Sequence, residues 1–409
     1  MNVEELVREA LREQADEQTP LRAGFVDRVL VVRRRRRNRA LVGVATATAA
    51  AVAVAVGVPL LDSGKHDESP AGISQQGGDG AHPDQSPPRD LIGAGDTVLA
   101  AYYTAKTHYT SGGKGTSVRT YWLLDQKTGT YKKDSRWSFV AVAPGLKTAA
   151  VLERNLPAGR IGLLDLATGE VERWIPVEHG VGGLAFSRDG NRLVATTYNE
   201  NPDRRDEEQP TVGGKRKLVS VYRDAIRSGF YVLDVASGQG SWSPVARDRD
   251  ILGRKDFAFS QAGDRVYSQI IGSQDGMQQF YDIKGKKAAA PANERYLRSD
   301  VGARLSPNGR LAALGLTKEV GGSPGKSYSS IRDPLTNKEI TKVRGGHLLA
   351  WVDDKRLIAW ERVTRLDQTY RPQLVLVTIG SDRVVPLSGV SEQGDNTGRL
   401  EWEPVFARR

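Results

Sequence analysis

The sequence predicts an all-β protein built from repeated four-stranded units, preceded by a short helical tail, one membrane-spanning helix and a disordered linker. Three observations lead to this prediction: a charge-free apolar stretch near the N-terminus, a segment poor in aliphatic residues after it, and two short motifs that alternate through the rest of the chain. The length of 409 residues suits two or three domains, or one large array of repeats.

Composition excludes several classes of site. The chain has no cysteine, which excludes disulfides, zinc–thiolate sites, iron–sulfur clusters and a thiol nucleophile. Hydrophobic residues make up 39% and charged residues 26%, so the chain has enough apolar material for a core. The 59 Lys and Arg against 49 Asp and Glu give a net charge of +10, which hints at an anionic partner.

Residues 1–39 are predicted to be a cytosolic tail with two short amphipathic helices. Asn2 is a suitable N-cap for the first helix, and Thr19-Pro20 is a suitable start for the second. Helices this short are marginal alone in water, so they need a partner, a membrane surface or each other. A run of arginines, Arg33–Arg37 with Arg39, ends the tail.

A transmembrane helix is predicted over residues 40–61. An arginine run can bind nucleic acid or flank a membrane span, and the 22 uncharged residues of Ala40–Leu61 favour the span, which needs about 20. We therefore expect no nucleic acid. The arginines lie on the N-terminal side, which predicts a cytosolic N-terminus and a translocated remainder. A cleavable signal peptide, cut near Ala51–Ala55, is the less favoured alternative because the preceding 39 residues are long for one.

Residues 62–90 read as a flexible linker. They are rich in Gly, Pro, Ser, Asp and Gln and almost lack aliphatic side chains, so they cannot form a core. The β-rich domain is predicted over residues 91–409.

The first repeated motif is an apolar pair followed by Asp, two residues, Thr or Ser, and Gly. We expect the Asp to accept hydrogen bonds from turn amides and the Gly to adopt a positive φ. Copies centre on Asp125 with Gly129, Asp165 with Gly169, Asp234 with Gly238, Asp282 with Gly285 and Asp333 with Asn337. Regular placement at turns favours a structural role for these aspartates over a metal-binding role.

The second motif is a strand that ends in Ser, a tight turn and another strand. Its clearest copies lie at 186–190, 259–263 and 305–309. The two motifs alternate, so each pair encodes four strands. Successive Asp positions lie 40, 69, 48 and 51 residues apart, close to the length of a propeller blade. The long interval contains a charged insertion, Asn199–Ser220, which is either functional or disordered.

Two of these copies carry a family resemblance. Phe-Ser-Arg-Asp-Gly-Asn-Arg-Leu at 186–193 and Leu-Ser-Pro-Asn-Gly-Arg-Leu at 305–311 resemble the strand signature of WD-repeat-like β-propellers, including the bacterial TolB-like group. The resemblance covers about residues 96–409. Counting the repeats and closing the ring predicts six blades, or alternatively seven. The layout of tail, span, linker and propeller also resembles membrane-anchored actinobacterial proteins. Because the first module lacks its Ser-turn strand, we expect Leu400–Phe406 to supply it.

No catalytic set stands out, and we expect no catalytic residues, no cofactor and no metal site. Gly321–Gly325 matches Gly-x-Ser-x-Gly, but a strand is predicted after it where a nucleophile elbow needs a helix. Gly325-Lys326-Ser327 resembles the end of a phosphate-binding loop, but the Gly required five positions earlier is Val320.

The histidines are weak candidates. His179 and His347 each stand beside a glycine just before a Ser-turn strand, where a propeller opens its central channel. Turn or capping roles are favoured over a metal or substrate site. His108 lies near Tyr102, Tyr103 and Tyr109, and we interpret these aromatic residues as strand packing rather than a ligand platform.

These observations predict a plasma-membrane protein whose propeller lies outside the cytoplasm and binds a protein or a cell-envelope ligand. Two alternatives stay open. One is a propeller enzyme with a site in its channel, of the lactonase, hydrolase or quinoprotein type. The other is a membrane-bound regulator that acts through its cytosolic tail.

Overall fold

The computed structural model describes residues 80–209, 211–212, 215–216, 219–222, 226–246, 254–270, 276–320, 325–364, 370–392 and 400–409. The predicted tail, the predicted span over 40–61 and residues 62–79 of the predicted linker lie outside these ranges. Within the ranges no helix has the length and apolar character that a bilayer crossing requires. The regular elements found there are all strands, which confirms the all-β prediction.

The strands are numbered in chain order. The first third holds β1 (Gly93–Ala94), β2 (Thr97–Tyr109), β3 (Lys114–Asp125), β4 (Thr130–Asp134), β5 (Trp137–Val142), β6 (Thr148–Glu153), β7 (Ala158–Asp165) and β8 (Val171–Phe186). The middle holds β9 (Arg192–Tyr198), β10 (Arg204–Glu208), β11 (Thr211–Val212), β12 (Lys215–Arg216), β13 (Val219–Tyr222), β14 (Arg227–Asp234), β15 (Gly240–Pro244), β16 (Ala258–Phe259), β17 (Arg265–Gln269), β18 (Gln278–Asp282) and β19 (Lys287–Ala288). The last part holds β20 (Ala312–Val320), β21 (Lys326–Arg332), β22 (Glu339–Arg344), β23 (His347–Trp351), β24 (Arg356–Thr364), β25 (Tyr370–Thr378), β26 (Val384–Val390) and β27 (Glu403–Arg408).

These strands form successive antiparallel meanders, which we number in chain order. Meander 1 is β27-β2-β3-β4, and meander 2 is β5-β6-β7 with the first half of β8. Meander 3 is the second half of β8 with β9-β14-β15, and meander 4 is β16-β17-β18-β19. Meander 5 is β20-β21-β22, extended by a bridge between Leu305 and Ala312, and meander 6 is β23-β24-β25-β26.

The C-terminal strand completes the first meander. In β27, Arg408 lies opposite Thr97 and Glu403 lies opposite Tyr103 of β2. The predicted role of the C-terminal segment is therefore confirmed, although the strand runs from Glu403 to Arg408 rather than from Leu400 to Phe406. One end of the chain thereby pairs with the start of the propeller domain.

The Asp motif forms the turns predicted from the sequence. Asp165 Oδ1 accepts hydrogen bonds from the amides of Ala167 and Thr168 at 2.7 and 2.8 Å. Gly169 has a φ of 74°, and Asn337, which takes the place of the glycine in another copy, has a φ of 61°. Hydrogen bonding and backbone conformation explain both recurring features of the repeat.

The serine of the second motif also closes its turn. Ser187 Oγ accepts a hydrogen bond from the amide of Arg192 at 2.9 Å, and Ser306 Oγ accepts one from Leu311 at 3.1 Å. Both serine side chains are buried. A buried hydroxyl that satisfies a turn amide explains why the motif recurs before each such hairpin.

Residues 80–90 pack against the domain, which differs from the linker predicted over 62–90. The amide of Gly389 in meander 6 donates to Gln85 O at 2.7 Å, and the amide of Tyr131 in meander 1 donates to Arg89 O at 2.9 Å. Gln85 Oε1 accepts from the amides of Arg89 and Asp90. These polar side chains build an ordered turn that composition alone does not reveal.

The largest apolar cluster lies between meanders 1, 2 and 6. Trp402 is 1% exposed and makes edge contacts with Trp360 and Tyr102, whose ring centroids lie 4.8 and 5.5 Å away. Tyr102 also stacks on Trp122 at 5.1 Å, as expected for strand packing. Aromatic residues thus fix the position at which the two ends of the domain meet.

Candidate ligand-binding cavity

A cavity of about 400 Å³ opens where the Ser turns of meanders 3, 4 and 5 approach β23 and β27. Its volume is within the range of small-ligand pockets, roughly 300–1,000 Å³. Its aromatic wall consists of Phe186, Phe259, Tyr267, Trp351 and Phe406, and its charged groups are Arg188, Arg304, Arg408 and Glu294.

Arg304 is held in place from three sides. Its Nη2 donates to Glu294 Oε2 at 2.6 Å, and its guanidinium lies 3.8 Å from the centroid of the Tyr267 ring. Its carbonyl oxygen accepts a hydrogen bond from the Trp351 indole at 3.4 Å. The side chain is therefore fixed before any ligand arrives.

The backbone of Arg304 is strained. Its φ is 50°, in the left-handed region that side chains other than glycine adopt at a cost of about 1–2 kcal/mol. Its Nη1 is buried and has no acceptor among the described residues, which adds about 1–3 kcal/mol. Such unfavourable features concentrate at functional sites.

Glu294 neutralises Arg304 and also organises the neighbouring turn. Its side chain is 2% exposed, and Oε1 accepts a hydrogen bond from the amide of Gln261 at 2.8 Å. Both carboxylate oxygens are therefore used within the protein. Glu294 consequently contributes no free negative charge to the cavity.

The other two arginines give the cavity an excess positive charge. Arg188 donates through Nη2 to the carbonyl of Pro307 at 2.8 Å. In the part of the chain that the structure describes, neither Arg188 nor Arg408 forms an ion pair with a carboxylate. With the Arg304–Glu294 pair balanced, the cavity keeps two cationic side chains.

A second cavity of about 330 Å³ borders the first and shares Arg188 and Gln261 with it. It lies between the Ser turns of meanders 3 and 4. Arg192 on its wall lies 5.3 Å from the centroid of the Phe259 ring. The charged lining of this second cavity is Arg188, Arg192 and Asp189.

A separate charged cluster is buried away from this cavity and centres on Asp203. Its carboxylate forms bidentate pairs with Arg119, at 2.7 and 3.0 Å, and with Arg254, at 2.7 and 3.1 Å. Arg254 also binds Asp256 at 3.0 Å. Burial alone would raise the pKa of Asp203, but the charges of Arg254 and Arg119 lower it to about 2.

Close backbone approach makes room for this cluster. A Cβ atom at Gly183 would lie 2.2 Å from the carboxyl carbon of Asp256, so only glycine fits there. Tyr198 donates its hydroxyl to Asp256 at 2.8 Å. Each carboxylate of the cluster is thus paired with at least one donor.

The Asp203 cluster fixes one end of the insertion that the sequence left as either functional or disordered. Residues of β10 pair with the start of β3, with Arg205 opposite Gly115, and also with β13. The amide of Ser117 donates to the carbonyl of Asp203 at 2.9 Å. An insertion that leaves meander 3 is therefore attached to meander 1.

The histidines singled out from the sequence are not in the cavity. The His179 ring stacks on Trp242 with centroids 3.7 Å apart, and its amide donates to the Tyr231 hydroxyl. His347 opens β23, and His108 pairs with Thr116 in the β2–β3 ladder. Among the described residues no group of three His, Asp or Glu side chains is arranged to hold a metal ion.

The Gly-x-Ser-x-Gly match at Gly321–Gly325 is only partly described, since residues 321–324 fall outside the described ranges. Lys326 begins β21, so a strand follows the motif as predicted.

Sequence reasoning missed Arg188, Arg304 and Arg408. Arg188 and Arg304 flank Ser-turn copies, but neither the positive φ of Arg304 nor the convergence of the three side chains can be read from spacing.

Successive antiparallel meanders, with the C-terminal strand completing the first one, are the architecture of a β-propeller. Similar solved structures include TolB from Acinetobacter baumannii, at 15% identity and a TM-score of 0.36, with 76% of this chain and 67% of that one covered. Hydrazine synthase from Kuenenia stuttgartiensis matches at 14% and 0.35, covering 74% and 79%. A chain of the mitotic checkpoint complex matches at 14% and 0.36, covering 86% and 99%.

No protein-family model matches the sequence. No curated protein matches it either.

Proposed function

We propose that the protein is a membrane-anchored binding module, a six-bladed propeller outside the cytoplasm that holds a protein or cell-envelope ligand at its Ser-turn end. The observation that carries this proposal is the cavity itself. Aromatic side chains form its wall, and its arginines outnumber its acidic residues by three to one. Convergent polar groups in a mostly apolar pocket are typical of a binding site.

The six meanders support the proposal of six blades. In this proposal each meander forms one blade, and the pairing of β27 with β2 joins the end of the chain to the first blade. Meander 5 fits this scheme if the segment around Leu305, which bridges Ala312, serves as its first strand.

The membrane anchor is proposed from the sequence. The arginine run followed by the uncharged residues of Ala40–Leu61 supports a span with a cytosolic N-terminus. The absence of native cysteine makes this topology testable, because an introduced cysteine is the only thiol in the chain.

The topology experiment uses two single-cysteine variants of the full-length protein, Gln14→Cys in the tail and Ser111→Cys at the exposed tip between β2 and β3. A membrane-impermeant maleimide applied to spheroplasts should label the Ser111→Cys protein and spare the Gln14→Cys protein until the cells are lysed. Labelling of the tail variant alone in unbroken cells would overturn the proposed orientation.

The binding experiment places a photoreactive benzoylphenylalanine at Phe406, on the cavity wall. The matched control places it at Ile340 on β22, a side chain that is 54% exposed and outside the cavity. Irradiation of native membranes should give a discrete crosslinked product only from position 406. Equal products from both positions, or a product from Ile340 alone, would argue against the cavity as the binding site.

A further inference from the structure

We propose that the cavity selects a ligand that carries an anionic group, a carboxylate or a phosphate, directly beside an aromatic ring. This inference rests on the proposed binding function and adds the chemical class of the ligand.

The charges of the cavity argue for an anion. Glu294 is fully engaged by Arg304 and by the amide of Gln261, so it cannot neutralise another cation. Arg188 and Arg408 line the same cavity and have no carboxylate partner in the described part of the chain. Guanidinium groups bind carboxylates and phosphates through paired, charge-assisted hydrogen bonds. A cationic ligand would instead meet two like charges.

The position of the arginines argues for a specific geometry. Arg304 is held by Glu294, by the Tyr267 ring and by the Trp351 indole, in a backbone conformation that arginine rarely adopts. Arg408 extends from β27, the strand that closes the propeller, and Arg188 from the Ser turn of meander 3. Because the three come from different parts of the ring, only the assembled fold brings them together.

The wall of the cavity argues for a ring next to the charge. Phe186 and Phe406 are partly exposed, and both line the cavity with Trp351. Phe406 is two residues from Arg408 on β27, so both side chains lie on the same face of that strand. An anion bound at Arg408 therefore lies beside the Phe406 ring, on which an aromatic ring of the ligand can stack.

The test measures binding of small probes to the full-length protein in detergent by ligand-observed NMR and calorimetry. The probes are 3-phenylpropionate, phenyl phosphate, the neutral 3-phenylpropanamide, and acetate, which lacks a ring. We expect the two aromatic anions to bind at least about tenfold more tightly than the amide or acetate, because each lacks one of the two interactions.

Variants locate the site. Arg408→Gln and, separately, Arg188→Gln should each weaken 3-phenylpropionate binding about tenfold. Arg310→Gln is the matched control, because Arg310 is exposed on the neighbouring Ser turn and does not line the cavity. Thermal unfolding of each variant checks that the fold is kept.

Several results would overturn the inference. Equal affinity for 3-phenylpropionate and its amide removes the need for an anion, and equal affinity for acetate removes the need for a ring. Unchanged binding in both Arg408→Gln and Arg188→Gln, or no binding of any probe, removes the site. If no probe binds while position 406 still crosslinks a partner, the ligand class is wrong and the binding function stands. If the probes bind but no partner crosslinks at position 406, the ligand class stands and the proposed binding of a partner is wrong.

Discussion

Asp203 is a buried carboxylate that forms ion pairs with two arginines. Its carboxylate is 3% exposed and faces two arginines that are each 12% exposed. With Asp256, the four charges balance, and every one has an opposite partner within 3.0 Å. Balanced buried clusters add little net stability, but breaking one leaves charges without compensation.

We expect Asp203→Asn to lower the free energy of unfolding by about 3–5 kcal/mol, because Arg119 and Arg254 then remain buried against each other. Urea unfolding of the full-length protein in detergent measures this. The matched control is Glu200→Gln in the same insertion, which removes an exposed ion pair with Arg204 and should cost less than about 1 kcal/mol. Equal losses in the two variants would contradict the role assigned to burial.

Glu403 predicts a pH dependence. Burial raises the pKa of Glu403 to about 7, although the charge of Arg119 acts in the opposite direction. Arg119 also lies over Tyr103, which faces Glu403 across the β27–β2 ladder. The native state therefore binds this proton more strongly than the unfolded chain, whose glutamate titrates near 4.5. The protonated carboxyl therefore contributes its full stability below about pH 4.5, the pKa in the unfolded chain. This contribution is lost as the pH rises through about 7, the pKa in the folded protein.

The neutral isostere Glu403→Gln should abolish this loss. We expect the variant to gain stability relative to the native protein between pH 5 and pH 8, by up to about 3 kcal/mol, at about 1.4 kcal/mol for each unit of pKa. Chemical unfolding at both pH values measures the difference. A gap between the two proteins that stays constant across this range would show that Glu403 titrates normally.

At the scale of the element, the turn motifs were predictable because their causes are local. Asp165 binds amides two and three residues away, and Gly169 supplies a positive φ, so both requirements are visible in a window of five residues. The same holds for Ser187 and the amide of Arg192. Local chemistry of this kind recurs in successive meanders and makes the repeat visible in the sequence.

Gly169 and Gly159 distinguish the effect of backbone conformation from the effect of steric crowding. A Cβ atom would meet nothing within 4 Å at either Gly169 or Gly159, but only Gly169 has a positive φ. We expect Gly169→Ala to cost about 1–2 kcal/mol because alanine is strained there. Gly159→Ala should change stability by less than about 0.5 kcal/mol. Thermal unfolding compares them, and an equal loss would assign the effect to the side chain rather than the backbone.

The insertion and the cavity were not predictable in the same way. Asp203 lies in a run of charged residues, and nothing local distinguishes it from Asp206 or Glu207 as the one that is buried. Its partners Arg119 and Arg254 lie 84 and 51 residues away along the chain. Convergence of Arg188, Arg304 and Arg408 likewise depends on how separate blades pack, which a single sequence does not encode in its spacing.

At the scale of the whole molecule, closure was predictable by counting. The first module lacked a strand and the C-terminal segment had no module, so pairing them completed the first meander. We expect deletion of Glu403–Arg409 to leave β2 with an unpaired edge, to lower the unfolding midpoint and to cause self-association. Light scattering with thermal unfolding measures both effects.

A synthetic peptide of residues 403–409, added in excess, is the control for this deletion. It should reverse the self-association and raise the unfolding midpoint by refilling the place of β27. A truncated protein that stays monomeric with an unchanged midpoint would show that β27 does not close the ring.

Because the chain is synthesised from its N-terminus, β27 becomes available to pair with β2 only at the end of synthesis. The ribosome makes β2 about 300 residues before β27, an interval of roughly 15–60 s at about 5–20 residues per second. During that time one edge of β2 has no partner, and the first six residues of this strand are all buried in the finished fold. The nascent chain is therefore most vulnerable to pairing with other chains before its last strand emerges. A chaperone that shields this edge would act on the protein earlier than any ligand does.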